Sequence, residues 1–383
     1  MSGSKPLISE KRTPLPALTG IRVFAAYYVV MFHTGAGYLG RHGAPQIVQS
    51  LLAKGYLAVS FFFILSGFIL AYTYEGKISG KKNAVHFWEA RFARIYPVYV
   101  LSLVLMIPFA KDVTISQKFT VLSMIQTWIP WRRDLIGVWT FPAWSLSVEV
   151  FFYLVFPLIF LVLNRMKIAG LRYLAALMLA VTVIGNLAQP VETWSVSSLI
   201  LMHYIPLPLL RLPEFIVGMA LALVFLRSHR LQYSGLVSVC TALVAIAVLC
   251  LPLGRWASIA IIPFAVLVAS LAYQSGPLTR VLSTRILVLF GSASYAVYLL
   301  QSPIRIYTKL LVSRLAHAPH DLDAFLSPCF LLLVSVLVFL FWEEPARKFL
   351  RKSLGLRPRW KWPYLPATNP LSNADGIKSP NDR

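Results

Sequence analysis

Arg22 and His33 can both carry charge, and the ten residues between them are all apolar or aromatic. In an α-helix, eleven steps return a side chain to within about 20° of the same face, about 16 Å along the axis. Charged groups within an apolar helix usually face a cavity or a partner rather than lipid. The spacing therefore predicts a polar track inside a helical bundle. The alternative is that Arg22 reaches the bilayer surface and His33 is a buried, hydrogen-bonded histidine.

Glu149 and Gln301 are predicted at about the same depth as His33, near the outer ends of their helices. An imidazole can take a proton from a hydroxyl, and a carboxylate can orient the imidazole and stabilise the imidazolium. We therefore expect the three side chains to form one site. The alternative for Glu149 is a carboxylate that the helix dipole favours near an N-terminus.

Arg91 and Arg94 lie three residues apart at the predicted cytoplasmic start of a helix, so they share a face. Two adjacent guanidiniums suit phosphate groups. The alternative is the ordinary excess of positive charge on the cytoplasmic side. Arg22 is predicted at a similar depth and adds a third cation.

The composition sets the class of protein in which these residues act. The 383 residues are 58% hydrophobic and only 13% charged, beyond what a soluble globular protein uses. We expect an all-α polytopic membrane protein. The formal charge of +22 does not indicate nucleic-acid binding, because the cations cluster in short connections between apolar runs. Cys240, Cys250 and Cys329 lie in apolar runs and indicate neither disulfides nor a metal site.

About ten apolar segments have the roughly 18–25 residues that a membrane-spanning helix requires. Lys and Arg accumulate on every second connection, which marks the cytoplasmic side. Both termini are therefore predicted to be cytoplasmic, provided that residues 115–129 form a re-entrant or interfacial piece on the outer side. The predicted spans are 17–39, 56–74, 92–110, 144–163, 171–188, 207–226, 235–251, 256–273, 286–310 and 324–342.

The two ends of the chain differ from the membrane domain predicted for residues 17–352. Residues 1–16 are polar and basic without the apolar core of a signal peptide, and we expect a cytoplasmic segment. Residues 353–383 are Pro-rich, polar and basic, with too little apolar content to fold alone. They are predicted to form a disordered cytoplasmic tail.

Seven short motifs follow one another over roughly residues 15–352. In order, they are Arg22 with His33; Phe62-Phe63-Ile64-Leu65-Ser66-Gly67-Phe68; Arg91, Arg94 and Pro97; Trp144-Ser145-Leu146 with Glu149; Arg211 to Gly218; Ser294-Tyr295 with Tyr298-Leu299; and Glu344-Pro345. One such motif is weak evidence, but seven in this order resemble the acyltransferase 3 family of membrane acyltransferases.

The resemblance implies transfer of an acyl group, usually acetyl, from cytoplasmic acyl-CoA to a hydroxyl. Acceptors in the family are mostly sugars of surface polysaccharides, lipopolysaccharide or peptidoglycan, while some members modify macrolides or other small molecules. It also implies a multi-pass protein of the inner (plasma) membrane, with no permanently bound cofactor, no metal and no nucleic acid. Many members carry His where this chain has Gln301, and Gln cannot act as a base. We expect a lone membrane module, without the appended extracytoplasmic hydrolase-like domain of some relatives.

Residue roles follow from the resemblance together with the spacing. Arg91 and Arg94 are expected to hold the CoA phosphates, with Arg22 lining the entry, and the pantetheine arm to reach towards His33. His33 is the expected base, with Glu149 assisting; direct transfer and a covalent acyl-His both remain open. Supporting contacts are expected from Ser66, Trp144, Ser145, Tyr295 and Gln301.

Two other functions fit ten helices with charged groups inside. One is a transporter or flippase for a lipid-linked sugar or an ion, which should have inverted repeats and broken helices in corresponding halves; the sequence contains neither pattern. The other is a sensor or scaffold that binds acyl-CoA without turnover. Such a protein would not need His33 or Glu149, and both are present.

Overall fold

The computed structural model describes residues 13–78, 80–187, 205–228, 231–314 and 322–356. In these parts of the chain every regular element is helical, which confirms the predicted all-α class. The expected cytoplasmic segment and tail lie largely outside the described residues.

Fourteen α-helices occur in the described ranges. They are α1 (Pro16–Arg41), α2 (Gln46–Leu52), α3 (Ala58–Tyr74), α4 (Gly80–Leu105), α5 (Ile115–Leu122), α6 (Ala143–Leu163), α7 (Ile168–Leu187), α8 (Leu207–Arg227), α9 (Ser234–Cys250), α10 (Ile261–Leu271), α11 (Pro277–Leu282), α12 (Arg285–Ser313), α13 (Leu322–Val338) and α14 (Glu344–Ser353). A π-helical turn, Phe339–Glu343, joins α13 to α14, and a 3₁₀ segment, Gly254–Ala260, leads into α10.

Eight helical stretches in the described residues are long and apolar enough to cross a membrane. The protein is therefore a multi-pass membrane protein. Two of the ten predicted spans correspond to α9, which is shorter, and to α4, whose first turns are polar. The count of ten and the cytoplasmic position of both ends stay predictions.

The segment 115–129 contains only one short helix, α5. Thr114 caps its N-terminus in a reciprocal arrangement with Gln117. Eight residues span about 12 Å, well short of the roughly 30 Å of a hydrocarbon core. This helix is therefore too short to cross the membrane, which is the condition for both termini to lie on the cytoplasmic side.

Gly67 of α3 and Gly218 of α8 lie where these two helices cross at close range. A Cβ on Gly67 would lie 2.1 Å from the carbonyl oxygen of Phe215, and one on Gly218 would lie 1.9 Å from that of Ile64. Backbone atoms cannot yield to such contacts, and small residues let membrane helices approach closely. Two of the seven motifs therefore carry glycine because they form one helix crossing.

The crossing of α1 and α12 follows the same rule. A Cβ on Gly291 would lie 1.9 Å from the carbonyl oxygen of Thr19. Arg22 follows Thr19 by three residues, and Ser294 follows Gly291 by the same number. Both side chains line one cavity, so this contact brings the first and sixth motifs together.

A buried aromatic layer fixes α6 against α3 and α8. The rings of Phe152 and Phe215 stack with centroids 4.7 Å apart, and the Phe63 ring meets that of Phe152 edge-on at 5.1 Å. Phe152 follows Glu149 by three residues, so the two lie near one another on α6. The layer thereby holds Glu149 in a fixed position.

Candidate functional site

A large cavity opens between α1, α3, α4, α12 and α14, with a volume of about 1200 Å³. Among the described residues, nine cationic side chains line it, against one carboxylate, Glu344. We call it the basic cavity. Its cations are Arg22, Arg91, Arg94, Arg280, Arg285, Arg347, Lys348, Arg351 and Lys352.

The C-terminal helix α14 supplies four of these cations. Arg351 follows Arg347 by four residues, and Lys352 follows Lys348 by four, so one face of the helix is basic. Glu344 pairs with Arg347, and its other oxygen lies 3.4 Å from Lys348. These residues lie at the end of the predicted membrane domain, residues 17–352, and no role was expected for them from sequence. The four-residue spacing of these cations after the Glu344-Pro345 motif was the sequence signal for a helix that lines a cavity.

The basic cavity continues into a smaller central cavity of about 150 Å³. The two cavities share five lining residues, Arg22, Ile69, Leu70, Arg91 and Arg94. Other predicted site residues line the central cavity, namely Ser66, Ser145, Glu149 and Tyr295. The structure therefore brings together seven of the ten residues singled out by sequence.

Glu149 is the carboxylate of the central cavity. Ser66 donates a hydrogen bond of 3.3 Å to its Oε1 atom, and the Tyr153 hydroxyl donates to the same oxygen. Its negative charge faces the guanidiniums of Arg22 and Arg91 across the cavity. Oppositely charged groups in such surroundings offset the cost of burying each other.

Arg91 and Arg94 occupy different settings, although they share a helix face. The Arg91 guanidinium lies 5.8, 6.0 and 5.9 Å from the rings of Tyr74, Phe87 and Tyr153. Arg94 forms an ion pair with Glu343 and lies 5.5 Å from the Tyr295 ring. Aromatic faces attract cations, so both guanidiniums are held in place.

Glu343 was not singled out by the sequence analysis. It is 0% exposed and lies in the π-helical turn between α13 and α14. Such turns are frequent at functional sites. A carboxylate at the end of an apolar run, directly before the Glu344-Pro345 motif, was the available signal.

His33 lies in a third pocket, which we call the outer pocket, of about 220 Å³. Its imidazole packs edge-on against Phe32 and Phe141, with ring centroids 4.9 and 5.2 Å away. Arg305 donates a hydrogen bond of 2.8 Å to the His33 carbonyl oxygen. The lining residues are His33, Thr34, Gly37, Tyr38, Arg41, Arg305, Lys309, Asp323 and Ala324.

The structure does not bring His33, Glu149 and Gln301 into one cluster, contrary to the expectation from their depths. The outer pocket and the central cavity have no described lining residue in common. Phe141 packs on His33, and Ser145, four residues later, already lines the central cavity. His33 therefore contacts the turn just before α6, whereas Ser145 lines the central cavity from the first turn of α6 itself.

Gln301 lines neither space, but on α12 it lies between residues that line the central cavity and residues that line the outer pocket. It is 6% exposed, its amide nitrogen donates 2.7 Å to the Tyr298 carbonyl oxygen, and its Oε1 has no partner among the described residues. Tyr298, Gln301, Arg305 and Lys309 are spaced by three, four and four, which places them on one helix face. We call this row the α12 stripe. It runs from the central cavity to the outer pocket.

The remaining motif residues have structural contacts around the central cavity. The Ser145 hydroxyl donates 2.8 Å to the Tyr298 hydroxyl, and the Tyr295 hydroxyl donates 2.8 Å to the Ile95 carbonyl oxygen. Trp144 is 8% exposed and lines none of the three spaces. It packs within the hydrophobic core.

Apolar helices around a cationic cavity that ends at a half-buried carboxylate define a multi-pass membrane protein suited to an anionic ligand. The family model described as "Acyltransferase domain" (Acyl_transf_3) matches residues 15–342. The chain therefore belongs to the acyltransferase 3 family and is an O-acyltransferase. This assignment favours the enzyme over the transporter and the sensor.

Curated relatives agree with the family. The chain is 30% identical over 325 residues to "Acyltransferase MdmB" of Streptomyces mycarofaciens, covering 79% of this chain and 82% of that protein. It is 25% identical over 169 residues to "O-acetyltransferase OatA" of Staphylococcus aureus, covering 40% of this chain and 26% of that protein. No solved structure is significantly similar to the chain.

Proposed function

We propose that the protein transfers an acyl group, foremost acetyl, from acyl-CoA in the basic cavity to a sugar hydroxyl presented at the outer pocket. The basic cavity faces the cytoplasm, and the protein lies in the plasma membrane. The observation that carries this proposal is the continuity of the basic cavity with the space around Glu149. It gives a charged, water-soluble donor a way into the bundle.

The donor half of the proposal depends on charge and size. CoA carries several phosphate groups, and guanidiniums bind phosphate with paired, charge-assisted hydrogen bonds. Nine cations line the basic cavity, and six of them lie on α11, α12 and α14, helices that carry none of the motif arginines. The volume of about 1200 Å³ exceeds the roughly 300–1,000 Å³ of ordinary ligand pockets. We assign the nucleotide end of acyl-CoA to this cavity.

The acyl end of the donor must reach beyond the basic cavity, to the acceptor at the outer pocket. Arg22 and His33 are about 16 Å apart along α1, a distance that suits an extended pantetheine arm. The central cavity provides hydroxyl groups from Ser66 and Ser145 along this route. The α12 stripe continues it towards His33.

His33 acts as the base in the proposed direct transfer. It takes the proton of the acceptor hydroxyl, whose oxygen attacks the thioester carbonyl carbon. The new C–O bond forms, the C–S bond breaks, and the departing CoA thiolate receives the proton from the imidazolium. A covalent acyl-imidazole formed on His33 remains the alternative route.

Glu149 is a positioning residue in this scheme, because it does not contact His33. Its carboxylate is held by Ser66 and Tyr153 and offsets the guanidiniums that face it. We propose that it keeps Arg22 and Arg91 aligned with the arm of the donor. Supporting contacts from Ser145, Tyr295 and Gln301 shape the same route.

The test is acetyl transfer by the purified protein in nanodiscs, with labelled acetyl-CoA and a glycan acceptor. We expect His33→Ala to lower kcat by about 10²–10⁴-fold, the usual contribution of a general base, with little change in the KM for acetyl-CoA. The control is His86→Ala, since His86 lies on the exposed start of α4. Full activity of the His33→Ala protein would remove the central assignment.

A further inference from the structure

The outer pocket is positively charged as well as small. Arg41, Arg305 and Lys309 line it, against the single carboxylate of Asp323 among the described residues. Arg305 and Lys309 alone outnumber that carboxylate within a volume of about 220 Å³. The pocket also contains His33, so this charge surrounds the proposed base.

Arg305 and Lys309 are arranged as a pair. They are four residues apart on α12 and therefore share a face. One guanidinium nitrogen of Arg305 donates to the His33 carbonyl oxygen, which fixes the group beside the base. This hydrogen bond uses one of the five N–H groups that an arginine offers, and the others have no hydrogen-bond partner among the described residues, so a ligand can take them.

The location of these cations needs an explanation. If the basic cavity faces the cytoplasm, Arg41, Arg305 and Lys309 lie at the opposite surface, where the positive-inside rule predicts few cations. Solvated Lys and Arg side chains at helix ends are common. Arg305 and Lys309, gathered in one pocket with a histidine, favour a common ligand.

We propose that the outer pocket binds an oxyanion, a phosphate or a carboxylate, carried by the acceptor close to the hydroxyl that is acylated. This inference rests on the proposed function, since it names the substrate class for that same site. The guanidinium of Arg305 and the ammonium of Lys309 bind the oxyanion, and His33 receives the proton of the neighbouring hydroxyl. The protein thus selects acidic or phosphorylated sugars over neutral ones.

The first measurement compares acceptors in matched pairs: glucose 6-phosphate against glucose, and galacturonic acid against galactose. We expect the charged member of each pair to have the higher kcat/KM by about tenfold, the size of one charge-assisted contact. The variant with Arg305→Ala and Lys309→Ala should lose this preference. Arg314→Ala is the matched control, because Arg314 ends α12 without lining the pocket. Equal use of charged and neutral sugars by the unmodified protein overturns the inference.

The second measurement does not need turnover. Ala324→Cys places a thiol in the pocket, in a background with Cys240→Ala, Cys250→Ala and Cys329→Ala. A methanethiosulfonate reagent carrying a sulfonate should modify it about tenfold faster than one carrying a trimethylammonium, because the cationic pocket attracts the first and repels the second. Arg305→Ala with Lys309→Ala should abolish the ratio. Equal rates, or a ratio unchanged in that variant, would overturn the oxyanion site.

A phospholipid headgroup presents the same chemistry as a sugar phosphate, so lipid composition is varied. In nanodiscs of phosphatidylcholine, glucose 6-phosphate should protect the introduced thiol against the sulfonate reagent and glucose should not. Protection that appears only with phosphatidylglycerol assigns the pocket to lipid and overturns the acceptor claim. Failure of the proposed function is separate, because then no acetyl-CoA is consumed with any acceptor, while the thiol measurement still decides the oxyanion site.

Discussion

The basic cavity and the outer pocket lie at opposite ends of the same two helices, α1 and α12. They differ in volume and in how their lining cations are held. Their volumes are about 1200 and 220 Å³. Under the proposed function, the larger cavity binds the nucleotide end of the donor. The smaller one has room for little more than a charged group and one hydroxyl, so most of a large acceptor would stay outside. The proposed division is that the bundle encloses much of its donor and contacts only the reacting end of its acceptor.

The cations of the two spaces are also held differently. Arg94 is paired with buried Glu343 beside the Tyr295 ring. Arg305 and Lys309 are exposed side chains. Substitutions of Arg94 or Glu343 should therefore affect folding and donor binding together. Substitutions in the outer pocket should affect acceptor use alone.

The largest effect is expected from breaking the pair between Arg94 and Glu343. Arg94→Leu leaves a carboxylate buried without its cation, which typically costs about 3–5 kcal/mol. The double variant with Glu343→Leu should regain most of that stability, because replacing both partners by apolar groups is often neutral. The KM of this double variant for acetyl-CoA should nevertheless remain above that of the unmodified protein, because the Arg94 guanidinium is absent from the donor site. Thermal unfolding of the purified protein and donor kinetics measure the two effects separately.

Arg305→Leu is the control for this cycle. An exposed arginine of the outer pocket should change the free energy of unfolding by no more than about 0.5 kcal/mol. If Arg94→Leu is as stable as the unmodified protein, the pair is not formed. If the double variant binds acetyl-CoA normally, Arg94 has no role in the donor site.

The next effect is expected from Glu149→Gln. The amide keeps the shape of the side chain but removes the charge that faces Arg22 and Arg91. Misplacement of the donor arm by about 1 Å can cost about 10²-fold in rate, and we expect a loss of that size in kcat/KM. Glu89→Gln is the control, because Glu89 pairs with His86 on the surface of α4. Unchanged kinetics in Glu149→Gln would contradict its positioning role.

Seven of the ten residues singled out by sequence line the central cavity, and several of them lie close together within single motifs. Arg91 and Arg94 share a helix turn, and Ser66 adjoins the glycine of a helix crossing. Charged groups at membrane depth are few, so their gathering around one cavity follows from the cost of facing lipid. The all-α class follows from composition on the same grounds.

The relation between His33 and Glu149 could not be predicted in that way. Span ends give the depth of a residue along its helix, but not the direction in which its helix faces a neighbour. Phe141, just before the start of α6, packs on the His33 ring, and His33 and Glu149 line different spaces although their predicted depths are similar. The basic face of α14 was missed for a related reason, because surface charge and cavity lining look alike in sequence.

The smallest effect is expected at the rims of the two spaces, from Lys348→Ala and Lys309→Ala. Both lysines are more exposed than the motif arginines, and an exposed charge contributes about 0.2–1 kcal/mol. Lys348→Ala should raise the KM for acetyl-CoA by about two- to fivefold and leave the KM for a charged acceptor unchanged. Lys309→Ala should raise the KM for the charged acceptor by a similar factor and leave the KM for acetyl-CoA unchanged. Steady-state kinetics with each substrate varied in turn checks both, and equal effects of the two variants on the donor would show that the spaces do not divide donor from acceptor.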